Sequence, residues 1–90
     1  MIGLNSDVIL KTFLGTEDSR KPINQNENYW KLIGQQGQVL ELGEKRVPVK
    51  FNCDIDAFGL ENHNPIKNSL WILPSDLDKI KTKPNNTYNL

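Results

Sequence analysis

The sequence predicts an all-β domain in which five short strands curl into a small barrel, with two long loops and a 3₁₀ turn before the last strand. Three observations carry this. The apolar residues fall in short runs rich in valine, isoleucine and aromatics, each bounded by Gly, Asn, Asp or Pro. Arg46 to Phe51 alternates, so that Val47, Val49 and Phe51 share one face of a strand. No amphipathic helical pattern persists beyond about two turns.

Asp7 to Phe13, between Asn5-Ser6 and Gly15, is the first strand. From Leu14 to Gln35 polar and turn-forming residues dominate until the cluster Tyr29-Trp30-Lys31-Leu32-Ile33-Gly34, which predicts a long loop that returns to the core near its end. Gly37 to Leu42 and Arg46 to Phe51 form a hairpin around Gly43-Glu44-Lys45. Pro48 has no N–H for a ladder, so its strand is expected to be open on that side, where edge pairing would permit a dimer. Asn52 to Asn68 is the second long loop, with Ile55, Phe58, Leu60 and Ile66 as scattered apolar anchors. Ser69 to Leu73 is the fourth strand, on which Leu70 and Ile72 face one way and Ser69, Trp71 and Leu73 the other. Pro74 stops it, Ser75-Asp76-Leu77 suits the 3₁₀ turn, and Asp78-Lys79-Ile80 the fifth strand. Residues 1–80 are thus the domain and 81–90 a polar, flexible tail. The expected core is Val8, Leu10, Val39, Val47, Val49, Leu70 and Ile72.

Lysine plus arginine equals aspartate plus glutamate at 11 each, so no field of one sign steers the molecule toward phosphate or lipid headgroups. No apolar run approaches the ~20 residues that span a bilayer, and no basic stretch precedes an apolar one at the N-terminus. Cys53 is the only cysteine and has no internal disulfide partner. These features point to a reducing, cytoplasmic setting; the protein is expected to be bacterial in style.

Two short stretches resemble SH3-like barrels. Trp71-Ile72-Leu73-Pro74-Ser75-Asp76-Leu77-Asp78-Lys79-Ile80 is similar to the SH3 ending, in which a hydrophobic residue precedes Pro-Ser-Asn-Tyr-Val and a last apolar position. Gly34-Gln35-Gln36-Gly37-Gln38-Val39 resembles the Gly-x-x-Gly-x-Val entry to the second strand of bacterial SH3-like and KOW-type barrels. The order of strand, long loop, hairpin, loop, strand, turn and short terminal strand looks the same. The sequence departs from peptide-binding SH3 domains in lacking the Ala-Leu-Tyr-Asp-Tyr opening and in having Asp76-Leu77 for Asn-Tyr, so the resemblance does not extend to a polyproline groove. A KOW resemblance implies RNA or ribosome-associated partners.

Cys53 and His63, with Asp54, Asp56 or Glu61 near them, have the residue types of a thiol nucleophile and its base, but no recognised signature surrounds them. The same acids with His63 offer donors to a hard cation, yet the register of a calcium loop is absent. The expectation is therefore no catalytic residue, no metal and no cofactor. Asn85-Asn86-Thr87 matches a glycosylation acceptor, a chance match outside a secretory route. Gly59 to Asn68, with Glu61, Asn62, His63 and Asn64, reads as a recognition loop whose alternative use is to satisfy its own backbone. Tyr29, Trp30, Phe58 and Trp71 decide the surface: an exposed Trp71 near Tyr29 and Trp30 makes an aromatic patch suited to a protein partner, and a covered one makes a secondary core. The expected function is a protein-interaction module, such as an adaptor, regulatory subunit or immunity-type protein, monomeric or weakly dimeric. The alternative is a KOW-like nucleic-acid binder using Lys31, Arg46, Lys50 and Lys67.

Overall fold

Strand β1 (Asp7–Leu10) is paired antiparallel with β2 (Gln36–Val39) on one side and β5 (Leu77–Lys79) on the other. A computed structural model describes residues 2–80; the expected tail at 81–90, and the Asn85-Asn86-Thr87 match within it, lie outside the described residues. β2 pairs with β3 (Val47–Phe51), and β3 with β4 (Ser69–Ile72), giving one antiparallel sheet in the order β4-β3-β2-β1-β5.

This sheet is open, where the sequence predicted closure: among the described residues β4 and β5 are edges that do not pair. It is nonetheless strongly curled. A flat sheet would separate its outer strands by four spacings, ~19 Å. β4 and β5 are joined by Leu73 and the 3₁₀ turn η4 (Pro74–Asp76), and such a link spans only ~13 Å at most. Gly37 marks one place where strands close in, because a Cβ there would sit 2.6 Å from the Lys50 carbonyl oxygen and 2.8 Å from Val49 Cγ1.

Inside the curl lie twelve buried apolar side chains. All seven expected core residues are among them. The others are Phe51 of β3, Leu77 of β5 and three residues of the loops, Leu32, Ile55 and Leu60. Each such side chain contributes roughly 1.5–3 kcal/mol by leaving water, which is why loops rich in polar residues still carry a few apolar anchors. The anchors sit in short 3₁₀ turns, Leu32 at the end of η2 (Tyr29–Leu32) and Ile55 at the start of η3 (Ile55–Phe58); η1 (Gln25–Glu27) carries none.

Three local expectations need correction. The first strand ends at Leu10, because Lys11 and Thr12 turn their N–H groups to the Asp76 carbonyl (2.9 and 3.4 Å) and Phe13 bridges Thr16 instead. Pro48 is not at an open edge: β3 is paired on both sides and Pro48 is buried opposite Trp71. Its carbonyl accepts from Leu40 N–H (2.9 Å), so its nitrogen faces the place where the β2 ladder has already ended at Val39. A dimer through Pro48 is thereby removed. Ser69 is buried, since the second loop folds over it and its hydroxyl donates to the Ile66 carbonyl at 2.6 Å.

Candidate functional site

The first long loop leaves β1 through a two-residue turn, Leu14-Gly15, both with positive φ (52° and 81°). Glycine takes such angles freely, whereas a leucine is held there against steric cost. Asp76 holds it. That residue is 1% exposed, and its carboxyl accepts from the Thr12 hydroxyl (2.6 Å), Leu14 N–H (3.0 Å) and Gly15 N–H (2.9 Å). A carboxyl buried in a small core thus has both oxygens satisfied, as burial requires.

Beyond the turn the aromatic residues assemble around Phe13. Trp30 meets its ring edge-on at 4.9 Å and 84°, and Tyr29 is tilted against it at 5.9 Å. Trp30 Nε1–H donates to the Thr16 hydroxyl at 3.0 Å. The Tyr29 hydroxyl donates to the Glu61 carbonyl at 2.9 Å, and Glu61 N–H to the Asn26 carbonyl at the same distance, so the two loops are tied together here. Burial, with Glu61 and then Glu27 nearby, pushes the Tyr29 phenol above its ordinary range. A cleft bordered by Leu14, Pro22, Ile23 and Trp30 opens beside this cluster.

Trp71 lines a different cleft, one that shares no residue with Trp30's, so the expected patch of both tryptophans does not form. It is 46% exposed, which settles that it is not a secondary core. On the outer face of the sheet, Leu40 just past the end of β2, Pro48 on β3 and Trp71 on β4 lie side by side. Ile66, 50% exposed, closes the far side of the cleft, and Gly43 of the hairpin turn approaches the Trp71 ring.

The remaining predicted residues take quieter positions. Phe58 packs against the core, and its carbonyl accepts from Lys31 Nζ at 3.4 Å. Asn62 donates to Asp56 and accepts from Asn68 N–H (2.7 Å), Asn64 donates to the Ser69 carbonyl (2.9 Å), and the Asn68 amide oxygen accepts from Ile55 N–H (3.0 Å). These asparagines therefore build the loop from within. Glu61 and His63 are exposed and form a 3.0 Å ion pair when the imidazole is protonated.

Cys53 and His63 share no hydrogen bond among the described residues, and burial, aided by Asp54 against the opposing pull of its own backbone, raises the Cys53 thiol. Such a thiol is the reverse of an activated nucleophile. Among the described residues no three His, Cys, Asp or Glu side chains gather to hold a metal ion. Of the cations weighed for nucleic acid, Lys67 lies 3.5 Å from Asp56, while Arg46 and Lys50 are exposed on the hairpin turn and on β3. No helix of the described residues is long and apolar enough to cross a membrane.

Sequence reasoning missed Asp76, Phe13 and the Leu40-Pro48 row. The row was accessible in principle from the hairpin register, whereas nothing local marks Asp76 as buried. Comparison with protein families, curated proteins and solved structures found no match to the chain.

Proposed function

We propose that this chain is a non-catalytic protein-interaction module on an SH3-like small barrel, with the Trp71 cleft as its contact surface. The observation that carries the reading is Trp71 itself. A tryptophan 46% exposed on a sheet face, beside an equally exposed Ile66 and a cleft of about 300 Å³, is an apolar anchor of the kind that dominates binding energy at protein interfaces. The sheet order, with β5 carried back by a 3₁₀ turn to pair with β1, supports the barrel resemblance. Zero net charge weighs toward a protein and against nucleic acid.

Affinity capture from a native lysate, with and without nuclease, tests this. Wild-type protein retains a nuclease-resistant protein partner, at an affinity that changes little with salt, and Trp71→Lys loses it. Retention that nuclease abolishes, or that falls steeply as salt is raised, overturns the reading in favour of phosphate contacts.

A further inference from the structure

The two edges of the sheet are guarded differently. β5 carries Asp78 and Lys79 in three residues, and Asp78 pairs with Lys11 at 3.1 Å. β4, Ser69-Leu70-Trp71-Ile72, carries no charge. Charged side chains are a common device against edge-to-edge pairing, and β4 lacks it.

Which backbone groups β4 presents follows from the ladder. Pro48 turns its carbonyl to β2, where Leu40 N–H donates to it, and Phe51 N–H donates to the Asn68 carbonyl at 2.8 Å. The groups of Val47 and Val49 therefore face β4 and meet Ile72 and Leu70, leaving those of Ser69 and Trp71 pointing out of the sheet. The Ser69 carbonyl is taken by Asn64. The Trp71 N–H and C=O have no partner among the described residues, and they lie beside the apolar cleft that the same residue's side chain lines.

We infer that a second copy of this chain covers this edge, the two β4 strands meeting antiparallel about a two-fold axis at Trp71. This rests on the reading of the Trp71 cleft as a contact surface and names its occupant. One residue offers one donor and one acceptor, so a two-fold pairing, Trp71 N–H of each copy donating to Trp71 C=O of the other, satisfies all four groups at once. The strand itself, Ser69 to Ile72, sets no charge against its copy across the axis. Each copy's Trp71 and Ile66 cover apolar surface of the other. Because Asn64 caps the edge at Ser69, the paired stretch is short and the association weak, with a dissociation constant on the order of 100 µM.

Sedimentation equilibrium of the full chain from about 10 µM to 1 mM, with amide exchange followed at both ends of that range, decides it. The mass rises toward twice that of one chain, and the Trp71 amide slows by about 10-fold or more at the higher concentration. Trp71→Lys, which sets two ammonium groups across the axis, weakens association at least ~10-fold, while Lys79→Ala at the other edge leaves it unchanged. A protein that stays monomeric overturns the inference. So does a Trp71 amide protected equally at every concentration, which puts a segment of the same chain on the edge. The wild-type exchange result stands even if the lysine variant fails to fold. A monomer whose lysate partner is still lost in Trp71→Lys overturns self-association alone; lysate capture indifferent to Trp71→Lys instead overturns the wider reading.

Discussion

The loop after β1, residues 11–35, and the shorter loop after β3, residues 52–68, are both polar, yet they are secured over very different distances. The first is gripped by Asp76, whose carboxyl bonds residues 61 to 64 positions away along the chain. The second is gripped mostly by its own asparagines, over separations of five or six residues for Asn62 and Asn64 and thirteen for Asn68. A loop held by a remote residue orders only when the sheet has brought its ends together, so its integrity is cooperative with the fold. A loop that bonds itself can be loosened with the sheet left standing. The two meet where Tyr29 reaches Glu61.

The largest test of this contrast is Asp76→Ala. It leaves two backbone N–H groups and a hydroxyl without their acceptor, so urea denaturation shows a loss of about 3 kcal/mol, with Asp76→Asn falling between it and the wild type. A loss below ~1 kcal/mol breaks the contrast. Asn68→Ala follows, at about 1.5–2 kcal/mol, because it orphans Ile55 N–H and puts a Cβ-bearing residue with no amide at φ 64°. Its amide-exchange signature is confined to residues 52–68; accelerated exchange at Leu14 and Gly15 as well contradicts a self-contained second loop.

Leu14→Gly sharpens the comparison by its sign. Leu14 is exposed and held at φ 52°, so relieving it stabilises the protein by up to ~1 kcal/mol, read as a higher midpoint in the same denaturation curves. The smallest effect concerns the seam between loops. In a Tyr88→Phe background, absorbance titration finds Tyr29 ionising above the free-tyrosine range, and Glu61→Gln brings it part of the way back. Because the folded-state pKa lies above that of the unfolded chain, the contribution to stability is intact below the ordinary tyrosine range. It is lost as pH climbs through the folded value.

Much of the sheet was readable in the residues because a strand's period of two assigns each side chain to a face without reference to anything distant. Val47 and Val49 go inward and Trp71 outward on that ground alone, and the structure agrees. Pro48 misled for the complementary reason. Its missing N–H is a local fact, but which neighbour that nitrogen faces, and where that neighbour's ladder ends, depends on register between strands. The site was less legible. Exposure of Trp71 turned on whether the first loop reaches it, and that loop spends its aromatic residues on Phe13.

By itself the sequence determined the all-β character, the number and order of the strands and the seven side chains at the heart of the core, since these follow from alternation and turn residues a few positions apart. Tertiary structure alone decided that the sheet stays open, that Asp76 is buried beneath the Leu14-Gly15 turn, and that the two tryptophans face separate clefts. Those outcomes join residues far apart in the chain, whose contacts depend on how the whole sheet bends.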